Sequence, residues 1–296
     1  MIVVDWGTTN LRLFACDTDG TILDSTQSGQ GIKTVPSGGF PSVLAQTISH
    51  LEASEESTIF VCGMAGARGA WHEAPYCATP IALEDIAANL TSLPGKLDGY
   101  LLPGAKNISP DGTLDVMRGE EIQIFGGMSK FDIRDGVLCL PGTHSKWVRV
   151  KDGRIVNFAT FMTGDIFNAL SHTILSCETD DKHDPDAFGL GLKASVLTDY
   201  GLTNRLFTAR TRVLDGTLMP DQVSAYVSGL LIGYELAQAA LLYERNERIV
   251  VIGSEVLCRR YRQALDHFGC KYVSLDSSEA TCSGVAVLHE LLEGKC

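Results

Sequence analysis

The sequence predicts an α/β fold of two similar lobes with a cleft between them, built on a duplicated β-β-β-α unit. Three observations point there. Short β-branched runs alternate with longer helical stretches along the chain. The series strand, Gly-Thr turn, strand, Asp-Gly turn, strand, helix begins at residue 2 and recurs from residue 137. The length of 296 residues suits two modest domains.

In the first copy, Val3 and Val4 lie in a run that favours a strand ending at Asp5. Gly7-Thr8-Thr9-Asn10 is a turn, and Leu11, Leu13 and Ala15 alternate with Arg12, Phe14 and Cys16 as in a second strand. Asp19-Gly20 is a hairpin signal, followed by a third strand over 21–25 and a helix over 41–51. The second copy has a strand over 137–140, the Gly142-Thr143 turn, and a strand holding Trp147, Val148 and Val150. Asp152-Gly153 repeats the hairpin signal, with a strand over 155–161 and a helix over 165–175. A strand over 58–62 and a helix over 81–90 follow the first copy. After the second come a helix over 221–242, a strand over 249–252 and Gly253-Ser254, with Ser254 as N-cap of a helix reaching about residue 268. A strand over 272–275 and a helix over 283–292 complete the pattern. The polar segment 176–188, with Asp180, Asp181, Asp184 and Asp186, misses the EF-hand spacing and reads as a solvated loop. The expected division is an N-terminal lobe over 1–125 and a C-terminal lobe over 126–296, with the last helix packing on the N-terminal lobe.

Composition narrows the function classes. Hydrophobic residues make up 45% and charged residues 20%, too apolar a mixture for a disordered chain. The net charge of -12, with no Lys/Arg run, argues against a nucleic-acid partner. The nine cysteines are odd in number, scattered and without a C-x-x-C. They read as reduced thiols packed in a core, and so as a sign of a reducing compartment, rather than as a disulfide framework or a zinc site. Ile2, Val3 and Val4 make too short an apolar run for a signal peptide, and the apolar stretch 229–243 contains Glu235 and Gln238. A cytoplasmic protein without a membrane partner is expected, and the sequence leaves a monomer and a homo-oligomer equally open.

Several residues can carry chemistry. Asp5 is followed at once by Gly7, Thr8 and Thr9, a turn whose backbone N–H groups and hydroxyls can receive phosphate. A carboxylate so near phosphate calls for a cation between them, which suggests a Mg²⁺ site at Asp5. Gly142 and Thr143 occupy the equivalent turn of the second copy, where Leu140 replaces the aspartate. Two such turns and one carboxylate fit a single clamped triphosphate. Lys146 can neutralise phosphate or bind a substrate carboxylate, and reads equally well as a surface lysine. In the stretch 63–71, three regularly spaced glycines let the chain turn around Arg68, whose guanidinium suits a carboxylate, while Trp71 can wall a small pocket. In Met117-Arg118-Gly119-Glu120-Glu121, adjacent carboxylates open a helix where one can accept a hydroxyl proton. Ordinary acidic decoration of a first turn explains them as well. The P-loop, the dinucleotide fingerprint in its strand-helix context and the nucleophile elbow are missing from the sequence.

Taken together, DWGTTN, GMAGARGAW, MRGEE, LPGTHSKW and FMTG, in this order from Asp5 to Gly164, resemble the 2-dehydro-3-deoxygalactonokinases. GLLIGYEL and VIGSEVLCRRY extend the resemblance toward the C-terminus. It implies the sugar-kinase/actin/Hsp70 superfamily, with actin-like ATPase (ribonuclease H-like) lobes. It also implies ATP-dependent, Mg²⁺-assisted phosphorylation of the terminal hydroxyl of 2-dehydro-3-deoxy-D-galactonate, giving the 6-phosphate in galactonate catabolism. Carried over residue by residue, Asp5, Gly7, Thr8 and Thr9 face the phosphates and metal, Gly142 and Thr143 form the second phosphate turn, and Gly253 and Ser254 support the adenosine. Arg118-Gly119-Glu120 resembles the Arg-Gly-Asp that precedes this turn in glycerol kinases. That makes Glu120 the expected general base, with Glu121 in reserve and Asp165 as a third candidate. Arg68, Arg118 and Lys146 are the candidate partners of the substrate carboxylate. A kinase of 2-dehydro-3-deoxygluconate or another aldonate, a non-catalytic sugar-acid sensor and an actin-like filament protein are the alternatives.

Overall fold

A computed structural model describes residues 1–54, 57–95, 97–109, 111–171, 184–196, 200–242 and 247–294. Cys177, Cys296, Asp180 and Asp181 lie outside the described residues, as does the end of the helix expected over 165–175. In chain order the elements are β1 (Ile2–Trp6), β2 (Leu11–Cys16), β3 (Ile22–Ser28), α1 (Phe40–Ile48), β4 (Ile59–Gly63), β5 (Tyr76–Ala78), α2 (Leu83–Ala88), β6 (Thr91–Ser92), β7 (Gly99–Leu101), β8 (Gly104–Ile108), β9 (Leu114–Met117) and α3 (Glu120–Lys130). They continue with β10 (Gly136–Leu140), β11 (Ser145–Lys151), β12 (Arg154–Phe161), α4 (Thr163–Ser171), α5 (Pro185–Ser195), α6 (Gly201–Leu214), α7 (Val223–Ala239), β13 (Arg248–Gly253), α8 (Glu255–His267), β14 (Lys271–Asp276) and α9 (Ser277–Leu292).

The chain groups into two units. One comprises Met1–Asp135, Val150–Phe158 and Leu275–Cys296, the other Gly136–Arg149 and Ala159–Ser274. In the first, the main sheet has the order β3-β2-β1-β4-β7-β6, with β1 antiparallel to β2 and parallel to β4. Trp6, Leu11, Leu13, Phe40, Leu44 and Val61 fill its core. A smaller sheet has the order β5-β8-β9, with β8 parallel to β5 and antiparallel to β9. The second large sheet has the order β12-β11-β10-β13-β14, with β13 parallel to β10. Its β12-β11-β10-β13 order repeats β3-β2-β1-β4, so the duplication read from the turns is a duplication of sheet topology. The second hairpin turns on Asp152 and Gly153 with φ 51° and 76°, the positive pair that a tight two-residue loop needs.

Each unit packs two helices through glycines. A Cβ on Gly126 of α3 would lie 1.9 Å from the Ala280 carbonyl oxygen, and one on Gly284 of α9 would lie 2.0 Å from the Ile122 oxygen. Between α5 and α7, a Cβ on Gly191 would meet the Tyr226 oxygen at 2.1 Å, and one on Gly229 the Phe188 oxygen at 2.1 Å. Backbones this close admit no side chain at these positions.

Several expectations are revised. The first strand runs past Asp5 to Trp6. Residues 185–188 belong to the first turn of α5 rather than to a loop, because the Asp184 carboxylate accepts from the Asp186 and Ala187 N–H groups and caps that helix. Ser254 sits at the cap position of α8, but its side chain makes no capping hydrogen bond. The last helix starts at Ser277, six residues before the expected 283, because Asp276 accepts from Ser278 N–H and caps it there. The seven described cysteines are free thiols, and all but Cys270 are buried. No described helix is long and apolar enough to cross a membrane.

Candidate active site

In the first unit, β1 delivers Asp5 beside the end of β4, in the parallel register Asp5 to Cys62 and Trp6 to Gly63. Arg12, directly opposite Asp5 on β2, donates from Nη2 to Asp5 Oδ2 at 2.5 Å. The Gly7-Thr8-Thr9-Asn10 turn closes with a Gly7 N–H to Asn10 oxygen bond of 2.9 Å. The carbonyls of Gly7, Thr8 and Thr9 accept from Ile32, Lys33 and Gly31 respectively, which fixes the turn's orientation. Gly31 can lie this close only because it lacks a side chain, since a Cβ there would fall 2.3 Å from the Thr9 carbonyl carbon.

Gly63 links this turn to the acidic motif. It has φ 85°, and a Cβ there would meet the Trp6 oxygen at 2.8 Å and Asp5 Oδ1 at 3.3 Å. Gly119, with φ 105°, would place its own Cβ 3.2 Å from Gly63 Cα. The sequence-distant segments DWG, GMAG and MRGEE thus converge on one spot. Glu120 accepts the Arg118 N–H at 3.0 Å and remains partly exposed. Glu121 is 0% exposed and accepts the Gly119 N–H at 2.8 Å. Burial first, then the neighbouring Glu120 charge, pushes the Glu121 carboxyl up to about 8.

Arg118 is 8% exposed, donates from Nη2 to the Ala74 oxygen at 2.8 Å, and lies 4.3 Å over the Tyr76 ring. It ties the acidic turn to the end of the Gly-rich loop. Arg68 is exposed in that loop. Trp71 stacks on Phe40 at 6.0 Å and meets Trp6 edge-on at 5.8 Å, so it belongs to the rim of the core that carries Asp5's strand.

In the second unit, the Gly142-Thr143 turn rests on the start of α4. A Cβ on Gly164 would lie 2.6 Å from the Gly142 oxygen, and Asp165 N–H donates to the Thr143 oxygen at 3.1 Å. His144 Nε2 pairs with Asp165 Oδ2 at 2.6 Å. Lys146, one of the readings of which was a surface lysine, is buried, with Nζ donating to Thr160 Oγ1 at 2.7 Å. A cavity of about 260 Å³ opens beside the turn, lined by Gly142, Thr143, Thr163, Asn168, Leu257 and Arg260 among others. Gly253 approaches the chain just before the turn, with its Cβ position 3.6 Å from Pro141 Cδ, while Ser254 is exposed at the head of α8.

Sequence reasoning passed over a buried cluster beneath this cavity. Glu235 on α7 is 1% exposed and accepts from Trp147 Nε1 at 2.7 Å, from the Tyr261 hydroxyl at 2.9 Å and from Thr163 Oγ1. Burial raises its pKa, and the hydrogen bonds from Thr163, Trp147, Tyr261 and Ser145 oppose that rise. Its only sequence signal is a carboxylate within an apolar helix. Arg12 was likewise read only as part of a strand's alternation, although that alternation places it across from Asp5. Leu257, Arg260 and Tyr261 lie within VIGSEVLCRRY, where the sequence signals only the preceding Gly-Ser turn.

The repeated sheet order defines an actin-like ATPase fold. Solved structures agree: the (R)-2-hydroxyglutaryl-CoA dehydratase component A of Acidaminococcus fermentans aligns over 98% of this chain and 96% of its own, at TM-score 0.57 and 11% identity. A sequence model described as 2-keto-3-deoxy-galactonokinase matches residues 5–288, and the chain belongs to that family of carbohydrate kinases, which use ATP as phosphoryl donor. A Rhizobium meliloti (strain 1021) protein carrying the name probable 2-dehydro-3-deoxygalactonokinase DgoK1 is 37% identical, over 96% of this chain and 94% of its own. The 2-dehydro-3-deoxygalactonokinase of Escherichia coli (strain K12) is 32% identical, over 96% and 95%. A crystal structure from Sinorhizobium meliloti, named for the same kinase, superposes at TM-score 0.90 with 35% identity and covers 98% of both chains.

Proposed function

We propose that the protein transfers the γ-phosphoryl group of ATP to the terminal hydroxyl of 2-dehydro-3-deoxy-D-galactonate, with Glu120 as general base. The carrying observation is the convergence of Asp5, Gly63 and the Arg118-Gly119-Glu120 turn within one unit. Phosphoryl transfer asks the protein mainly for positioning and charge stabilisation, plus a carboxylate to accept the hydroxyl proton. Of the two adjacent glutamates, Glu120 is the one with part of its surface exposed, which supports it as the base. Glu121, enclosed and bonded to the Gly119 N–H, positions the turn. Asp165, already paired with His144, is left as the remaining alternative for the base.

Arg68 takes the substrate carboxylate in this reading. Arg118 is buried, with Nη2 on the Ala74 carbonyl, its guanidinium over the Tyr76 ring, and Nε and Nη1 enclosed without a partner among the described residues. Lys146 is bonded to Thr160, whereas Arg68 is exposed in a Gly-rich loop of the unit that carries Glu120. Trp71 holds that loop to the core. The Thr8-Thr9 and Gly142-Thr143 turns receive phosphate, and the cavity lined by Leu257 and Arg260 receives the nucleoside, with Gly253 and Ser254 at the head of α8. Asp5, whose Oδ2 is paired with Arg12, is the group that would hold Mg²⁺ through its other carboxylate oxygen. This ion is commonly held by one or two carboxylates together with substrate phosphates and waters, and one carboxylate beside a phosphate turn fits that donor set. Bound there, Mg²⁺ would offset phosphate charge.

The test is a coupled ADP-release assay with Mg²⁺ and 2-dehydro-3-deoxy-D-galactonate, its gluconate epimer, or no sugar. Turnover that needs the galactonate compound and falls by about a hundredfold or more in Glu120→Gln is expected. Full activity in that variant would move the base to Asp165. Turnover with neither epimer would defeat the substrate assignment.

A further inference from the structure

We propose that Glu235 is a positioning residue for the nucleotide: through Thr163 and Tyr261 it holds the Gly142-Thr143 turn and the wall of the adjoining cavity in their binding shape. The proposal rests on the reading of that cavity as the nucleotide site.

Glu235 gathers side chains from three other elements. Ser145 and Trp147 come from β11, Thr163 from the start of α4, and Tyr261 from α8. Ser145 Oγ and the Tyr261 hydroxyl also lie 2.9 Å apart. Two of these residues, Thr163 and Tyr261, line the cavity, and Ser145 directly follows the segment Gly142-Thr143-His144. The next residue after Thr163 is Gly164, whose backbone presses on Gly142 and Thr143. A shift at the Thr163 hydroxyl therefore passes to the phosphate turn within one residue. Removing the carboxylate would leave buried N–H and O–H donors without their acceptor, a cost apolar packing cannot recover. Burying a carboxylate is itself expensive, and an aliphatic residue would suit the mostly buried α7 better if packing were the whole purpose.

The measurement is ADP affinity by calorimetry, with KM for ATP and for the sugar acid, in Glu235→Ala, Glu235→Gln, Thr163→Val and Leu257→Trp. Glu235→Ala and Thr163→Val are expected to weaken ADP by about tenfold or more, raising KM for ATP and leaving KM for the sugar acid within about twofold. Glu235→Gln keeps an acceptor for Trp147 and Tyr261 and should recover most of the affinity. Leu257→Trp, which fills the cavity, should abolish ADP binding. ADP affinity within about twofold of the parent in both Glu235→Gln and Thr163→Val, with Glu235→Ala either equal to them or unfolded, overturns the positioning role. So does a parallel rise in both KM values. Unchanged ADP binding in Leu257→Trp overturns the cavity reading, and the proposal with it. Loss in Leu257→Trp alone overturns only the proposal.

Discussion

Glu120 and Glu121 are neighbours in sequence with different environments, and the proposed division of their work rests on that difference. Glu121 is sealed in, and its folded pKa of about 8 stands above the ordinary carboxylate value of 4.5. A carboxyl whose pKa is raised on folding favours the protonated folded state. Its contribution to stability is full below the unfolded value and is lost as pH rises through about 8. The melting temperature of the parent should therefore fall on going from about pH 5 to about pH 9, and Glu121→Gln should flatten part of that fall. A melt series at both ends checks this, and an unchanged slope would show Glu121 to be ionised throughout. At the same scale, Arg68→Ala should raise KM for the sugar acid by about tenfold or more while leaving KM for ATP near its parent value, as expected for loss of a charged hydrogen bond. Steady-state kinetics with each substrate varied in turn decides it.

Helix pairing explains glycines that no turn requires. Gly229 lies in GLLIGYEL, which could be read from sequence only as an apolar helix with small residues. Its reason is the carbonyl of Phe188 on α5, and Gly191 answers it against Tyr226. Gly126 and Gly284 repeat the arrangement between α3 and α9. An added methyl must push two backbones apart, so Gly229→Ala and Gly284→Ala should each cost about 1–3 kcal/mol or more of stability, since tightly packed interiors tolerate added volume poorly. Chemical denaturation checks this. The half-buried Gly189, with open space around its Cβ position, serves as the control expected to lose no stability on the same change.

At the scale of the whole molecule, the two ligands should register in different parts of the chain. ADP is expected to slow amide exchange at 142–144, in α4 and in α8, and the sugar acid at 63–71 and 117–121, when each is added alone. Hydrogen-exchange mass spectrometry reads both patterns, and ADP protection confined to 63–71 would reverse the assignment of the two sites.

The turns and strands of the repeat were legible in sequence because Gly-Thr and Asp-Gly signals are local, as are β-branched runs. The small β5-β8-β9 sheet had no such signal and was not foreseen. Its strands are three to five residues long and gain their identity from pairing, not from pattern. The order of motifs along the chain pointed to the kinase family before any coordinates, and it nominated Asp5, Glu120 and the two phosphate turns. Which glutamate is partly exposed and which sealed, that Arg118 and Lys146 are buried inside their units, and that Glu235 lies beneath the cavity beside the Gly142-Thr143 turn were decided by tertiary structure alone. The reason is physical: residue type sets what a side chain can do. Burial and partners, which arise from segments far apart in sequence, set what it is left available to do.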